Sequence, residues 1–328
     1  GAMGQISTLL KAVIATSLTM QALLAVMFLP RFLTMGIDPA HAVWDAVFMA
    51  ISVFNNAGFV ILPGGLEPHV TDWWMLVPII LGTTVGAIGF PVIMDVAKNL
   101  RAPRRWRLHT KLTLSTYLIL AFIGALALAL TEWHNPATLG SVDTPSKILN
   151  AMLAGVNSRS SGLSALNVGA MHSQTHFVQD ILMMIGGGSA STAGGVKVTT
   201  FAVLVLAVIA EARGDRDIET FGRRIPTSTV RLAVAVSLLG LAMVAISVVL
   251  LLTMTDHSLD IILFETVSAF ATVGLSTGVT PNLPVAAKYV LIALMFAGRT
   301  GSMTVAAALA LRERSRVIRM PEEQPIIG

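Results

Sequence analysis

Three short segments of the chain combine an apolar stretch with a loop that contains one glycine. The glycines are Gly58, Gly162 and Gly274, and each segment lies between two longer apolar segments. Such a loop can present backbone carbonyl oxygens to a dehydrated cation, because glycine adopts backbone angles that other residues resist. Repeated units of this kind predict a cation pore.

The predicted ion-binding residues are these glycines and the two residues before each of them. The glycine alone is shared, as a filter made of main-chain carbonyls requires, and the hydroxyls of Ser160 and Thr272 could add oxygen ligands. The three loops contain no acidic residue, which disfavours a divalent cation, whereas neutral carbonyl oxygens suit a large monovalent ion such as K+. Filter loops 1, 2 and 3 are therefore residues 56–58, 160–162 and 272–274, namely Asn56, Ala57, Gly58, Ser160, Ser161, Gly162, Thr272, Val273 and Gly274.

A second glycine-rich segment, residues 186–195, interrupts a long apolar stretch. Five glycines in ten residues disfavour a regular helix, since each costs about 1 kcal/mol relative to alanine. We expect a loop within the membrane below the filter, with little packing to hold it, so that it moves at low cost. Close helix packing through small residues is the alternative. The segment and its closing lysine include Gly186, Gly187, Gly188, Ser189, Thr192, Gly194, Gly195 and Lys197.

Two arginines lie in segments predicted to be within the membrane, where a charge is costly and needs a cavity or a partner. Arg299 lies in the last apolar segment. It either faces a cavity or, as the alternative, tethers two helices away from the pore. Arg159 lies just before filter loop 2. We interpret it as a brace behind the filter, because a cation in the ion path would repel K+. A functional role and a purely structural role for Arg159 are equally open.

Two motifs superficially match enzymes. Lys197 follows the glycine-rich segment, but its spacing differs from that of a nucleotide-binding P-loop and no strand precedes it. The segment from Gly274 to Gly278 matches a hydrolase nucleophile motif, yet it follows a short apolar helix rather than a strand. We therefore do not expect an enzyme.

The composition indicates the scaffold that positions these residues. The chain is 54% hydrophobic and 12% charged, with a mean hydropathy of +0.76, whereas soluble domains are about 25% charged. It contains no cysteine, which excludes disulfides. A membrane span takes about 20 apolar residues. Six spans are predicted, at 11–30, 73–97, 111–130, 177–210, 229–254 and 285–311.

Three apolar segments are too short to cross a membrane, and each precedes a filter loop. They cover residues 41–54, 145–157 and 259–270 and are predicted to be half-helices that enter the membrane and return. The predicted fold is an all-α integral membrane protein with repeated units of helix, pore helix, filter loop and helix around a central pore. The predicted repeats are residues 1–104, 105–224 and 225–315, followed by a tail at 316–328.

The distribution of charge predicts the orientation. Lysine and arginine concentrate between spans two and three, between spans four and five, and after span six. By the positive-inside rule these loops are cytoplasmic and the filter loops are extracellular, in a multi-pass protein of the plasma membrane. The basic residues therefore indicate topology, and nucleic acid is not an expected partner.

Several segments resemble the TrkH/KtrB superfamily of potassium transporters, most closely its KtrB branch. The resemblance covers nearly the whole chain and includes its last residues, Pro-Ile-Ile-Gly328. It rests on Ser52-Val-Phe-Asn-Asn-Ala-Gly-Phe59, Gly155-Val-Asn-Ser-Arg-Ser-Ser-Gly162, Ile185-Gly-Gly-Gly-Ser-Ala-Ser-Thr-Ala-Gly-Gly-Val-Lys197, Ser268-Ala-Phe-Ala-Thr-Val-Gly-Leu-Ser276 and Phe296-Ala-Gly-Arg-Thr-Gly301.

The resemblance implies K+ translocation, with residues 186–195 as an intramembrane gate. Arg299 would project into the pore below the filter, repel cations and anchor backbone oxygens of that gate. The resemblance also implies a homodimer, a cytoplasmic ring of RCK-type, KtrA-like subunits that bind nucleotide, no cofactor in this chain, and transport that can depend on Na+.

The chain departs from the superfamily in the number of its repeats. The superfamily has four, and these three correspond to its second, third and fourth. We expect the first repeat to belong to the complete protein, because a filter without one quadrant would not be closed. Two alternatives stay open: a K+ symporter coupled to Na+ or H+, for which Asp95 and Glu265 are the candidate acids, and a non-conducting assembly module.

Overall fold

The computed structural model describes residues 2–301 and Ala308. Over this part of the chain the protein forms eleven α-helices and one β-hairpin. The helices are α1 Ala2–Thr34, α2 Pro39–Phe54, α3 Trp73–Ile88, α4 Phe90–Lys98, α5 Leu108–Glu132, α6 Thr144–Asn157, α7 Ser173–Met184, α8 Val198–Arg213, α9 Thr227–Met254, α10 Leu259–Phe270 and α11 Val285–Phe296; the strands are β1 Ile218–Thr220 and β2 Arg223–Ile225.

The three predicted half-helices are α2, α6 and α10. A proline lies in the first turn of α2 and of α6, where its missing N–H costs nothing, and Asp38 accepts a bond from the backbone of Ala40 at the start of α2. At 1.5 Å per residue these helices are roughly 18–24 Å long, shorter than the ~30 Å hydrocarbon core. Each ends within three residues of a filter loop, so the sequence prediction of the half-helices is confirmed.

Three of the predicted spans are long, continuous apolar helices. They lie in α1, α5 and α9, where the apolar parts are Ile6–Thr34, Leu108–Glu132 and Thr227–Met254. Most of their side chains are not buried within the protein; on α5, for example, Phe122 is 69% exposed and Leu130 is 75% exposed. Apolar side chains exposed over such lengths fit a lipid environment, and the protein is a multi-pass membrane protein.

The predicted span at 73–97 is not one straight helix, because the chain bends by 97° between α3 and α4. Gly89 lies at the bend with a φ of +95°, which a residue with a side chain rarely adopts, and Pro91 follows it in the first turn of α4. The backbone N–H of Phe90 is directed to the carbonyl of Ala190, at 3.4 Å, rather than into the preceding helix.

The predicted spans four and six are also divided. Span four consists of α7 and α8 with the glycine-rich segment between them, as expected from its composition. Span six begins with α11 and passes at Ala297–Gly301 into a single π-helical turn, a feature often found at functional positions. The remainder of the predicted span, and the tail at 316–328, lie outside the described residues apart from Ala308.

The helices pack in two main groups around the half-helices. One core surrounds α10 and includes Phe264 and Phe270; another surrounds α2 and includes Phe28, Phe32 and Phe54. The hairpin β1–β2 lies in a basic loop and was not predicted from the sequence. Its turn is Phe221-Gly222, and both residues have positive φ, as a tight two-residue hairpin requires.

Candidate ion pathway

The three filter loops meet backbone to backbone. A Cβ atom on Gly58 would fall well inside van der Waals contact with the carbonyl oxygen of Ser161, and one on Gly162 would overlap the backbone of Val273 and Gly274. Only glycine can occupy such positions without moving the neighbouring loop. Loops from parts of the chain about 100 residues apart therefore converge on one place.

Filter loops 1 and 3 have the same backbone conformation. In loop 1 the residues with positive φ are Asn56 at +52° and Gly58 at +76°; in loop 3 they are Thr272 at +52° and Gly274 at +95°. The backbone N–H of the intervening residue, Ala57 or Val273, bonds back to the carbonyl of a serine five residues earlier, at 2.8 and 2.9 Å. Aligning these two loops on their glycines therefore matches residues with equivalent φ values and equivalent backbone hydrogen bonds.

Filter loop 2 is shifted by one residue. Here the positive φ values belong to adjacent residues, Ser161 at +77° and Gly162 at +62°. The bond that closes the loop is donated by Gly162 itself to the carbonyl of Asn157, at 3.3 Å. Alignment on the glycine thus matches the residues that contact the neighbouring loop, but it does not match the turn geometry of loop 2.

Several buried side-chain oxygens of the filter loops lack a hydrogen-bond partner within the described residues. They are the amide oxygen of Asn56 and the hydroxyls of Ser160, Ser161 and Thr272. Buried polar atoms in proteins are almost always paired, so these oxygens are available to an ion or to water. They add side-chain acceptors to the backbone carbonyls of the same loops.

The glycine-rich segment forms a closed loop. At its neck the N–H of Gly186 donates to the carbonyl of Val196 at 2.7 Å, and the N–H of Val196 donates to the carbonyl of Met184 at 3.1 Å. We refer to residues 186–195 as the glycine-rich loop. The expectation that little packing holds this loop is wrong, because residues 186–188 and 193–195 are buried.

Close backbone contacts explain why this loop is rich in glycine. A Cβ atom on Gly194 would overlap the side chain of Thr272 in filter loop 3, and one on Gly187 or Gly188 would overlap carbonyl oxygens at the end of α3. Gly188 also donates its N–H to the carbonyl of Ala87 at 2.7 Å. The small residues serve close packing of a loop, rather than the packing of two helices that was the alternative for this segment, and this packing places the glycine-rich loop against filter loop 3.

Thr192 connects the glycine-rich loop to its surroundings. Its hydroxyl lies 3.1 Å from the carbonyl of Phe54 and 3.0 Å from that of Gly86, and it accepts a bond from the amide of Asn56 at 2.5 Å. Its own carbonyl accepts a bond from Arg299. One residue thus joins the end of α2, filter loop 1, α3 and the π turn.

Arg299 lies in the π turn that follows α11. Its guanidinium is exposed and donates from Nη1 to the carbonyl of Thr192. The turn itself is fixed by Gly298, whose Cα packs against the carbonyl of Phe270 at the end of α10. A cationic group therefore lies beside the glycine-rich loop, adjacent to the half-helix that leads to filter loop 3.

Lys197 and Ser189 have contacts at the other side of the glycine-rich loop. The ammonium of Lys197 donates to the carbonyl of Ala193 at 2.7 Å, and the hydroxyl of Ser189 lies 3.2 Å from that of Thr199. Both residues line a cavity of about 320 Å³ between α8 and α9. Gly195, with a φ of +75°, completes the turn between the loop and α8.

Arg159 is completely buried behind filter loop 2. Its guanidinium donates to the carbonyls of Tyr117 at 2.7 Å and Gly186 at 2.8 Å, and it stacks 4.1 Å from the ring of Tyr117. These contacts agree with a brace away from the ion path. They also reach the glycine-rich loop, which the sequence did not indicate.

The sequence prediction missed a buried acid in α7. Asp180 in α7 is 5% exposed, and its Oδ1 has no hydrogen-bond partner among the described residues. Its position inside predicted span four was a sufficient signal, because acids within spans are rare. Asp95, considered in its place, accepts bonds from the backbone of Arg107 at 2.8 Å and the hydroxyl of Thr110 at 2.6 Å, and so ties the end of α4 to α5.

Comparisons with known proteins agree with this architecture. A family model described as TrkH, cation transport protein, matches residues 2–318. The chain is 36% identical to Ktr system potassium uptake protein B of Bacillus subtilis over 100% of its own length and 72% of the relative's. It is 34% identical to the protein of the same name from Vibrio alginolyticus, over 86% and 62% of the two lengths.

A solved structure has the same fold. The potassium transporter TrkH from Vibrio parahaemolyticus superposes with a TM-score of 0.72 and 18% sequence identity, covering 94% of this chain and 65% of that one. The chain thus spans about two thirds of the length of the proteins it matches. The predicted all-α fold of pore-forming units is confirmed.

Proposed function

Since the chain belongs to the TrkH cation transport family, we propose that it is the ion-translocating membrane subunit of a Ktr/Trk-type K+ uptake system. The names of its relatives support K+ as the ion. The observation that carries the proposal is the convergence of three half-helices on filter loops that pack backbone to backbone, Gly58 on Ser161 and Gly162 on Val273.

The proposed selectivity filter uses the backbone carbonyls of residues 56–58, 160–162 and 272–274. Carbonyl dipoles replace the hydration shell of K+, and the C-terminal ends of α2, α6 and α10 add a partial negative charge. The hydroxyls of Ser160 and Thr272, which have no partner within the part of the chain that the structure describes, supply further oxygen ligands. A fourth loop from outside this chain completes the proposed filter, because three of the family's repeats form only three quadrants of a ring.

The proposed gate is the glycine-rich loop together with Arg299. The loop contacts filter loop 1 through Thr192 and filter loop 3 through Gly194, so it occupies the region next to the filter. The guanidinium holds the loop by the carbonyl of Thr192 and places a positive charge near it. Opening requires that this bond break and that the loop leave the two filter loops.

The proposed assembly has two membrane subunits and a cytoplasmic ring of RCK-type, KtrA-like subunits. The Ktr names of the relatives imply a system with several components. The orientation inferred from the basic loops, with the filter loops outside, would direct the hairpin β1–β2 toward such a ring. A dependence of transport on Na+ is an expectation from the family.

Uptake of radioactive Rb+ tests the proposed filter. The complete gene product would be expressed in a bacterial host that lacks its own K+ uptake, as wild type, Gly162→Ser and Gly214→Ser. Both glycines have positive φ, +62° and +73°, but only Gly162 contacts another loop. We expect Gly162→Ser to abolish K+ preference and Gly214→Ser to keep it. Equal preference in all three proteins would contradict the filter.

Asp180 favours a second candidate, a symporter that couples K+ to Na+ or H+. Asp180 is buried within a membrane helix and its Oδ1 has no partner among the described residues; such carboxyls commonly carry a coupled ion. Currents across a planar bilayer decide between the two. Reversal of the current at the K+ equilibrium potential indicates a channel. Coupling is indicated if the reversal potential shifts with the Na+ or H+ gradient in the wild-type protein and does not shift in Asp180→Asn.

A further inference from the structure

One half-helix carries a buried carboxylate directed at the segment that follows its own filter loop. Glu265 in α10 is 4% exposed. The hydroxyl of Ser276 lies 3.0 Å from both of its oxygens, and Thr277 donates to Oε1 from its backbone N–H at 2.7 Å and from its hydroxyl at 2.9 Å. The hydroxyl of Thr280 donates to Oε2. The carboxylate thus ties residues 276–280 to the half-helix.

The other two half-helices lack this arrangement. The position nine residues before Gly58 is Met49; in α6 it is Leu153 by the glycine alignment, or Ala154 once the one-residue shift of loop 2 is allowed for, and all three residues are apolar. Filter loop 1 is held by the hydroxyl of Ser52, which donates to the carbonyl of Phe59 at 2.8 Å; filter loop 2 has the equivalent bond from Asn157 to Leu163. Loop 3 is therefore the one of these three whose following residues are held by a carboxylate on its own half-helix.

The segment held by Glu265 also contacts the neighbouring repeat. The carbonyl of Thr277 lies against Gly169, where a Cβ atom would overlap it, and filter loop 3 packs on Gly162 of loop 2. A shift of residues 276–280 would therefore be transmitted to two filter loops. Hydrogen bonds to an ionised group are stronger than those between neutral groups, so the carboxylate is suited to resist such a shift.

We propose that Glu265 is a positioning residue for ion selectivity: it holds the segment after filter loop 3 and so keeps the carbonyls of loops 2 and 3 at the spacing that K+ requires. The inference rests on the proposed function. Glu265 is one of the two acids predicted from the sequence as candidates for coupling a second ion, but its donors occupy both oxygens, which favours a fixed structural charge over an ion-coupling group.

The chain offers a matched control. Glu132, at the end of α5, is also buried, and it accepts bonds from the side chains of Asn135, Thr138 and Thr175 at 2.6, 2.7 and 2.5 Å and from the backbone of His172 at 2.9 Å. It fixes an equally dense cluster, but each of these partners lies ten or more residues from a filter loop, whereas the partners of Glu265 lie two to six residues after loop 3. Loss of its charge tests the cost of disrupting any buried carboxylate.

The experiment compares wild type, Glu265→Gln, Glu132→Gln and Thr280→Val in the complete gene product. Uptake of radioactive Rb+ in competition with K+ and with Na+ measures the K+/Na+ preference separately from the amount of folded protein. We expect Glu265→Gln to lower the preference about tenfold and Thr280→Val to lower it less, because one donor of several is lost. Glu132→Gln should reduce the amount of protein and leave the preference unchanged.

Three outcomes have distinct meanings. A preference within about twofold of wild type in Glu265→Gln, or in Thr280→Val if the first variant fails to fold, would overturn the positioning role. An equal loss in Glu132→Gln would assign the effect to general destabilisation and also overturn it. Absence of K+-selective uptake by the wild-type protein would instead count against the proposed function.

Discussion

The guanidinium of Arg159 donates a 2.8 Å hydrogen bond from Nη2 to the carbonyl oxygen of Gly186. The arginine comes just before filter loop 2, and the glycine is the first residue of the glycine-rich loop. A single buried side chain therefore connects the filter to the loop that lies against it. The same guanidinium is held by the carbonyl of Tyr117, so its position depends on α5 as well.

We predict that Arg159→Lys destabilises the protein by at least about 2 kcal/mol, because an ammonium cannot reach both carbonyls with the geometry of the planar guanidinium. Thermal unfolding in detergent measures the effect. Arg213→Lys, at an exposed position near the end of α8, is the control and should change stability by less than about 0.5 kcal/mol. Equal stability of the two variants would show that Arg159 is not a brace.

We predict that Arg299→Ala increases Rb+ uptake by about tenfold, because it removes both a positive charge near the ion path and the bond to Thr192. Arg299→Lys keeps the charge and should give an intermediate rate. Uptake into proteoliposomes with equal amounts of protein is the measurement. A rate equal to or below that of wild type in the alanine variant would contradict the proposed gate.

We predict that Gly58→Ala abolishes uptake while Gly36→Ala preserves it. The two glycines have nearly identical φ values, +76° and +75°, so both substitutions incur the same backbone cost of about 1–2 kcal/mol. Only at Gly58 does a Cβ atom overlap a neighbouring filter loop, at the carbonyl of Ser161. Similar uptake by the two variants would mean that this contact is unimportant for transport.

We predict that Thr192→Val raises basal uptake several-fold, because valine keeps the shape of threonine but removes the hydroxyl that Asn56 and two carbonyls contact. The amide of Asn56 would lose its partner, at a cost of about 1–3 kcal/mol to the closed arrangement. Thr253→Val, whose hydroxyl bonds only within α9, is the control. If both variants transport like wild type, Thr192 does not hold the loop closed.

The sequence was sufficient to locate the half-helices and most of the spans. The stretch at 259–270, for example, corresponds residue for residue to α10, since its length, its apolar composition and the following glycine are local properties. The bend at Gly89 was missed because apolar residues continue on both sides of it, although glycine followed closely by Pro91 was an available signal.

The sequence by itself determined that this is a membrane protein with glycine loops at the ends of short helices, because hydropathy, helix length and glycine spacing are carried by neighbouring residues. Only the tertiary structure decided that Gly58 packs on Ser161, that Arg159 reaches Gly186 and that Glu265 holds Thr277. A buried polar group must be paired, but many partners would satisfy it equally well. The packing of distant segments selects which partner is within reach.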